Sequence, residues 1–444
     1  MDTGYDLRFF VGRRVSGNLR REIGLVGLIA IMIGLNIGGS LFLLTAVAAG
    51  LTGSSLIIAQ FVSAAPILLG VPAYAALSSA LPVTCANYQY AKLFSRPLAV
   101  AAWMVLFIAI PLGMLPLFAL ASAKLLEVLI PGLPVTLSAV GVMTLLLVFN
   151  LLGVRITTQA QFVGVAVLIA ALLTFIIGGM PAVEADNLVV RFVGGPLGFL
   201  GASALLYTLL AGGLFGVEMG DEIRDARSVI PRALVISITT VLVLYVLIEI
   251  VAVGVVGWEQ FSTGTLGDAA AAFLSGGWLG LFVIGGGIMA SMTTINLALA
   301  AAGRYALAFS FDGYFPKVFS QVSERFGTPH NGLVLIYLMT IATLLVDPPL
   351  MTMGAVLNFG LLFMVTLVLC AAVHLSRRHP ETYQRAAIHV KPSLLVFCCR
   401  AAVAINLVYM LVLAVALKWT FLIFVGAILV GLALFYSRKR GLWR

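Results

Sequence analysis

Residues 33–42 read Ile33-Gly34-Leu35-Asn36-Ile37-Gly38-Gly39-Ser40-Leu41-Phe42, with three glycines, an asparagine and a serine inside an apolar run that extends from Ile23 to about Gly50. The run is long enough for the ~20 residues a helix needs to cross the hydrocarbon core. Its middle is unsuited to a plain span, because a buried amide without a partner is costly. Irregular backbone at membrane depth is tolerated only where protein or a water-filled cavity satisfies it. The stretch therefore predicts a spanning helix that breaks at its centre.

The whole chain repeats the setting. It is 62% hydrophobic and 10% charged over 444 residues, with a mean hydropathy of +1.13, far from the roughly half-apolar, quarter-charged make-up of soluble domains. Apolar runs predict twelve spans, at about 23–50, 54–81, 97–130, 133–152, 156–179, 197–220, 231–257, 270–308, 331–346, 350–374, 394–416 and 419–437. The third and eighth exceed what a bilayer requires, which predicts tilt or an interfacial extension. Residues 82–97, with Tyr88, Tyr90 and Lys92, predict a short helix along the inner face.

With the N-terminus inside, 22 of the 26 Lys and Arg residues fall in cytoplasmic segments, Lys124, Arg191 and Lys418 fall outside, and Arg400 lies within the inner part of span 11. That satisfies the positive-inside rule and places a multi-pass protein in the cell membrane with both termini cytoplasmic. The charge of +9 thus follows topology, so the expected partner is the lipid bilayer and not nucleic acid. The first 22 residues lack the apolar core and cleavage site of a secretory signal. The four cysteines, Cys85, Cys370, Cys398 and Cys399, lack metal or disulfide spacing and read as packing residues.

A second weak point lies in "YTLLAGGLFG", Tyr207 to Gly216, where Gly212 and Gly213 stand in the sixth span. Spans 1 and 6 open two five-helix sets, and an odd number of spans per set gives the sets opposite topology. Interrupted helices at matching places in two inverted halves point to a transporter's binding site. A glycine pair taken alone serves equally for close helix packing, and Asn36 for an interhelical hydrogen bond. A break near Gly38, Gly39 and Ser40 creates a half-helix N-terminus with unpaired N–H groups, suited to an anion. Carbonyls freed at Ile33 to Asn36 and around Thr208 to Ala211 suit an ammonium group or a small cation. Together they predict a zwitterion site, made roomy by Thr208, Gly212 and Gly213.

These residues resemble the amino acid–polyamine–organocation (APC) transporter superfamily along nearly the whole chain. Gly34 to Phe42 is similar to the family's G-x-x-x-G-S-G-I-F, with the last two small residues changed. Asp221 to Ala233, "DEIRDARSVIPRA", is similar to E-E-x-x-N-P-x-R-x-I-P-R-A. Arg304 to Pro316, "RYALAFSFDGYFP", followed by Gly327-Thr328-Pro329, is similar to R-x-x-x-x-x-A-R-D-G-x-x-P and G-T-P. The resemblance implies an all-α membrane protein of twelve transmembrane helices: a five-plus-five inverted repeat with broken helices 1 and 6, plus two C-terminal helices. The units are a tail at 1–22, a first repeat at 23–179, a second at 197–374, a C-terminal pair at 394–437 and a tail at 438–444.

It also implies a secondary active amino acid permease working by alternating access, with no enzymatic activity. The N–H groups of Gly39 and Ser40 would hold the substrate carboxylate, and the carbonyls of Asn36, Thr208 and Ala211 its ammonium. Asn36 stands where the family commonly has an apolar residue, so its side chain is a candidate contact to substrate or ion. Thr208 falls near a common aromatic gate, which leaves Tyr207 and Phe215 as gate candidates.

No cofactor is expected, and coupling to Na+ or H+ is open. Some proton-coupled relatives place a lysine in span 5 beside the first break; Leu168 stands there, which argues against that mechanism. A sodium site is open between Ile33 and Asn36 and the hydroxyls of Thr293 and Thr294, hard oxygens suited to a hard cation. The alternative for such hydroxyls is bonding within their own helix. Glu249 and Glu218 are ionisable groups within spans and so functional candidates. Glu249 in span 7 is the deepest of them, though it lies toward the outer end, where water is within reach. Glu218 is expected near Asp221 and Glu222, facing Arg304 or the N-terminal arginines as an inner gate. Lys124 and Glu127 are expected to pair. The four histidines lie near the cytoplasmic side, away from a midplane relay. Alternatives are transport of an amine or polyamine, an amino acid exchanger without ion coupling, and a channel or amino acid sensor on the same fold. No HExxH, GxSxG or P-loop is present.

Overall fold

The computed structural model describes residues 23–439 apart from 84, 153–157, 221–222, 324–325, 327, 385 and 389; the side chains at 158–161, 300, 304, 308 and 439 fall outside that description. Among the described residues every regular element is helical, and one isolated bridge joins Ile23 to Ile223. The first apolar run forms two helices, α1 (Leu25–Asn36) and α2 (Gly39–Thr52). Next come α3 (Leu56–Ala80), the short α4 (Ala86–Phe94), α5 (Arg96–Ala109), α6 (Leu115–Leu129), α7 (Val135–Leu151) and α8 (Thr158–Gly179). Beyond a loop lie α9 (Gly195–Ala211), continued by a 3-10 segment (Gly212–Glu218), α10 (Ala226–Ser262), α11 (Leu266–Ala271), α12 (Gly276–Gly280) and α13 (Met289–Phe311). The chain ends in α14 (His330–Val346), α15 (Leu350–Arg378), α16 (Pro380–Gln384), α17 (Pro392–Ala416) and α18 (Lys418–Lys439).

Among the described residues, nine helical stretches are long and apolar enough to cross a membrane, and α1, α7 and α14 are shorter apolar helices. The most apolar windows of Gly195–Glu218 and Leu350–Arg378 are 83% buried, whereas that of Lys418–Arg438 is 22% buried. The sixth and tenth predicted spans therefore sit at the centre and α18 at the rim, where Trp419 and Leu422 face outward. An apolar exterior of this kind matches a bilayer and not water. The chain is a multi-pass membrane protein.

Each of the two overlong spans contains a π-helical turn, Arg96–Leu129 at Ile110–Met114 and Gly276–Phe311 at Leu281–Ile288. A π turn fits an extra residue into a helix and re-aims the faces beyond it. Both re-aimed segments, α6 and α13, turn toward the break between α1 and α2.

The motif after α13 is likewise set by backbone geometry. Gly313 has φ +74°, the left-handed region that favours glycine, and lets Tyr314 N–H donate to Phe309 O at 2.8 Å. Beside it, the Tyr88 hydroxyl of α4 donates to Asp312 Oδ2 at 3.3 Å. Burial and the Asp312 carboxylate push the Tyr88 hydroxyl above its usual range, keeping it a neutral donor. The short helix expected within residues 82–97 is α4, tied to the end of α13.

Candidate functional site

The first run breaks within the opening stretch. α1 ends at Asn36, Ile37 takes φ −88° and ψ 89°, Gly38 is extended, and α2 starts at Gly39. The Ile37 N–H donates to Ile33 O at 2.8 Å, the Gly38 N–H to Asn36 O at 3.1 Å and the Leu41 N–H to Gly38 O at 3.2 Å. Those bonds leave the Gly39 and Ser40 N–H groups without a main-chain acceptor, as the first turn of a helix requires. Both residues are buried. The helix dipole adds partial positive charge there.

Two neighbours close over these donors. A Cβ placed on Gly38 would lie 2.8 Å from Phe118 Cε2, and one on Gly39 would lie 2.7 Å from both Ala121 Cβ and Ser291 Oγ. Phe118 and Ala121 come from α6 and Ser291 from α13, so the segments re-aimed by the π turns form the walls. Glycine is required here by close approach, not by φ.

The second weak point behaves differently. At Gly212 the helix does not unwind but tightens into the 3-10 segment. In a continuing α-helix the Gly213 N–H would bond the Leu209 carbonyl; instead it donates to Asn36 Oδ1 at 2.5 Å. The freed Leu209 carbonyl is taken by the Tyr245 hydroxyl at 3.2 Å, which also donates to Asn36 O at 2.8 Å. One hydroxyl of α10 therefore sits between carbonyls of both interrupted helices. The close crossing needs small residues, because a Cβ on Gly212 would overlap the Leu35 carbonyl oxygen.

Asn36 is thus an interhelical clasp through Oδ1, while its Nδ2 is buried without a partner. The Thr208 hydroxyl is buried without a partner as well. Tyr207 is fully buried behind the crossing, packed edge-on to Tyr409 with ring centroids 6.3 Å apart. Phe215 is partly buried in the 3-10 segment, and Ala211 ends α9 at the crossing.

Of the hydroxyls on α13, Thr294 reaches the first break, donating to Gly34 O at 3.1 Å and Ala290 O at 2.8 Å. Thr293 bonds back to Ala290 O at 3.0 Å. Ile33 O is occupied by the Ile37 N–H. The Thr294 hydroxyl therefore joins the Gly34 carbonyl, within the stretch from Ile33 to Asn36.

The acidic candidates separate. Glu218 Oε1 accepts from Asn87 Nδ2 at 2.7 Å and from the Asn87 N–H at 3.3 Å, at the start of α4. A carboxylate at a helix start complements the dipole. Its expected gate partners, the N-terminal arginines and the Arg304 side chain, lie outside the described residues, as do Asp221 and Glu222. Glu249, placed toward the outer end of its span, is 0% exposed with both carboxyl oxygens unpartnered; α10 packs that face inward and stays regular until its kink at Gly257, φ +75°. Lys124 and Glu127 form no ion pair among the described residues, Glu127 being exposed.

Tyr245, Phe118, Ala121 and Ser291 were missed from the sequence. Tyr245 had a signal: a tyrosine inside an apolar span, four residues before a buried glutamate.

The chain is 25% identical to the branched-chain amino acid permease BcaP of Bacillus subtilis, over 95% of this chain and 94% of that protein. It is 26% identical to the methylthioribose transporter of the same organism, over 96% of this chain and 95% of the relative. A vacuolar cationic amino acid transporter 4 of Arabidopsis thaliana is 25% identical over 73% of this chain and 58% of its own length. The amino acid permease family matches residues 23–434, and on that match the chain belongs to the amino acid permease family, transporters of the APC superfamily and not enzymes.

Proposed function

We propose that this protein is a secondary transporter that moves an apolar or neutral amino acid by alternating access, with the substrate bound where the two interrupted helices cross. The carboxylate docks on the N–H groups of Gly39 and Ser40. The ammonium docks on carbonyls of the crossing, Asn36 foremost, with Leu209 joining Thr208 and Ala211 on the α9 side. One observation carries the reading: the Tyr245 hydroxyl is a donor shared by Asn36 O and Leu209 O, and buried free N–H groups begin the next helix. Acceptors and donors thus stand on opposite sides of a two-residue break, the polarity of a zwitterion.

The scaffold follows the same reading. The nine long stretches and three shorter helices fit twelve crossings, with α1 and α2 sharing the first. Two inverted five-helix sets would place the π turns of α5–α6 and α12–α13 at equivalent third helices. The basic residues put both termini in the cytoplasm. Apolar Phe118 and Ala121 beside the break favour an uncharged substrate side chain, the class named for the branched-chain permease. The methylthioribose relative shows that a transporter of similar identity acts on a compound of a different class.

Saturable uptake or exchange of a labelled neutral amino acid in proteoliposomes is the expected result. Failure of every amino acid and amine to bind the purified protein would sink the reading, and conductance far above carrier turnover would replace it with a channel.

A further inference from the structure

Glu249 stands four residues beyond Tyr245 on α10, one helical turn along the same face. It is 0% exposed, and neither carboxyl oxygen has a hydrogen-bond partner. The elements packed on α10 carry as titratable groups Tyr74 on α3, Tyr207 on α9, Glu218 in the 3-10 segment, Glu184 and Asp186 in the loop before α9, and Asp268 on α11. None of them is an electrostatic neighbour of Glu249; Tyr245 is. No cation among the described residues offsets an ionised carboxylate at this place. A bare charge there is far costlier than a neutral acid with unmade hydrogen bonds.

Tyr245 connects this carboxyl to the substrate site. Asn36 O already accepts from two donors, the Gly38 N–H and the Tyr245 hydroxyl. A carbonyl oxygen has two lone pairs, so an ammonium docking there must displace one donor. The Gly38 N–H is fixed by the backbone, whereas the tyrosine hydroxyl rotates. Displaced from Asn36 O, it keeps Leu209 O as its acceptor. The arriving positive charge favours the ionised acid.

We propose, on the basis of the transport reading above, that Glu249 binds a proton in the empty carrier and releases it when the substrate ammonium displaces Tyr245 from Asn36, so that amino acid and proton cross in opposite directions. On release the O–H bond breaks, its electron pair stays on the carboxylate oxygen, and the proton passes to water on the open side. When the substrate leaves, the carboxylate takes a proton from water on that other side. The empty carrier with neutral Glu249 packs and reorients, and so does the loaded carrier with ionised Glu249. The empty carrier with an ionised Glu249 does not pack, which enforces the exchange. With a zwitterionic substrate, one positive charge moves against the amino acid in each cycle.

The test uses the full chain and a neutral amino acid that raises its melting temperature. Calorimetric titration in phosphate and in Tris should show release of up to one proton per substrate bound. Affinity should rise by as much as about tenfold per pH unit where Glu249 titrates, because linkage is reciprocal. Glu249→Gln should bind the same amino acid with neither proton release nor pH dependence. Equal heats in both buffers for the unmodified protein, or unchanged proton release in Glu249→Gln, would overturn the proposal. A readout without mutation is transport in proteoliposomes: an imposed pH gradient should accumulate the amino acid on the acidic side. Accumulation on the alkaline side, or none despite exchange, contradicts it. Binding of no amino acid at all would instead overturn the transport reading, and this inference with it.

Discussion

The two glycine pairs look alike in sequence and do different things in the fold. Gly38-Gly39 accompanies a true break: two residues leave the helix, and a new helix starts with free donors. Gly212-Gly213 accompanies a tightening: the chain stays helical but diverts one N–H to Asn36 and releases the Leu209 carbonyl. The first contributes donors and the second contributes an acceptor. The same residue type is therefore needed for two reasons, room for α6 and α13 against the first helix and close approach of the two backbones at the second. A zwitterion needs both kinds of site.

The comparison can be broken most sharply at Gly212. Gly212→Ala puts a Cβ onto the Leu35 carbonyl oxygen, a backbone atom that cannot rotate away, and should cost roughly 3 kcal/mol or more of stability. Thermal unfolding in detergent reads this as a large loss; an unchanged midpoint would mean the crossing is not close-packed. Gly39→Leu fills the space beside Ala121 and Ser291 and should weaken amino acid binding at least about a hundredfold, some 2.7 kcal/mol. Retention of normal affinity would remove the carboxylate from this helix start.

Asn36→Ala sharpens the link between the two regions. It leaves the Gly213 N–H buried without its acceptor, at a cost of about 1–3 kcal/mol, and should lower the melting temperature and slow uptake together. Uptake at the normal rate in a destabilised variant would make the clasp structural only. Smallest is the contrast on α13. Thr294→Val loses a bond to Gly34 O and should cost about 1 kcal/mol, whereas Thr293→Val should stay within about 0.5 kcal/mol. Unfolding curves and affinities in sodium and in choline separate these; a sodium requirement lost in the Thr293 variant would return that hydroxyl to an ion site.

Much of this arrangement was legible in residues 33–42. Spans, the break at Ile37-Gly38 and the free donors of Gly39 and Ser40 follow from local chemistry, since helix periodicity and glycine placement are written in neighbouring residues. Partners distant in sequence were not legible. Tyr245 lies more than 200 residues from Asn36, and only packing brings its hydroxyl to that carbonyl. The exchange at Gly213 was hidden for the same reason: sequence shows that a glycine can bend, not which acceptor its N–H will find. Glu249 shows the limit most plainly, because its distance from the end of the apolar run suggested water while the inward face of α10 buries it. The overlong third and eighth spans were visible as lengths, but their π turns depend on hydrogen-bond register.

The central claim is that one site holds both ends of a zwitterion, and analogue binding to the purified protein tests it most directly. A neutral amino acid that binds should be compared with its carboxamide and with its desamino acid, each lacking one charged end. Saturable binding of the parent alone, with both analogues weakened at least about a hundredfold, is the predicted result. Equal affinity for an analogue lacking either end would contradict the account.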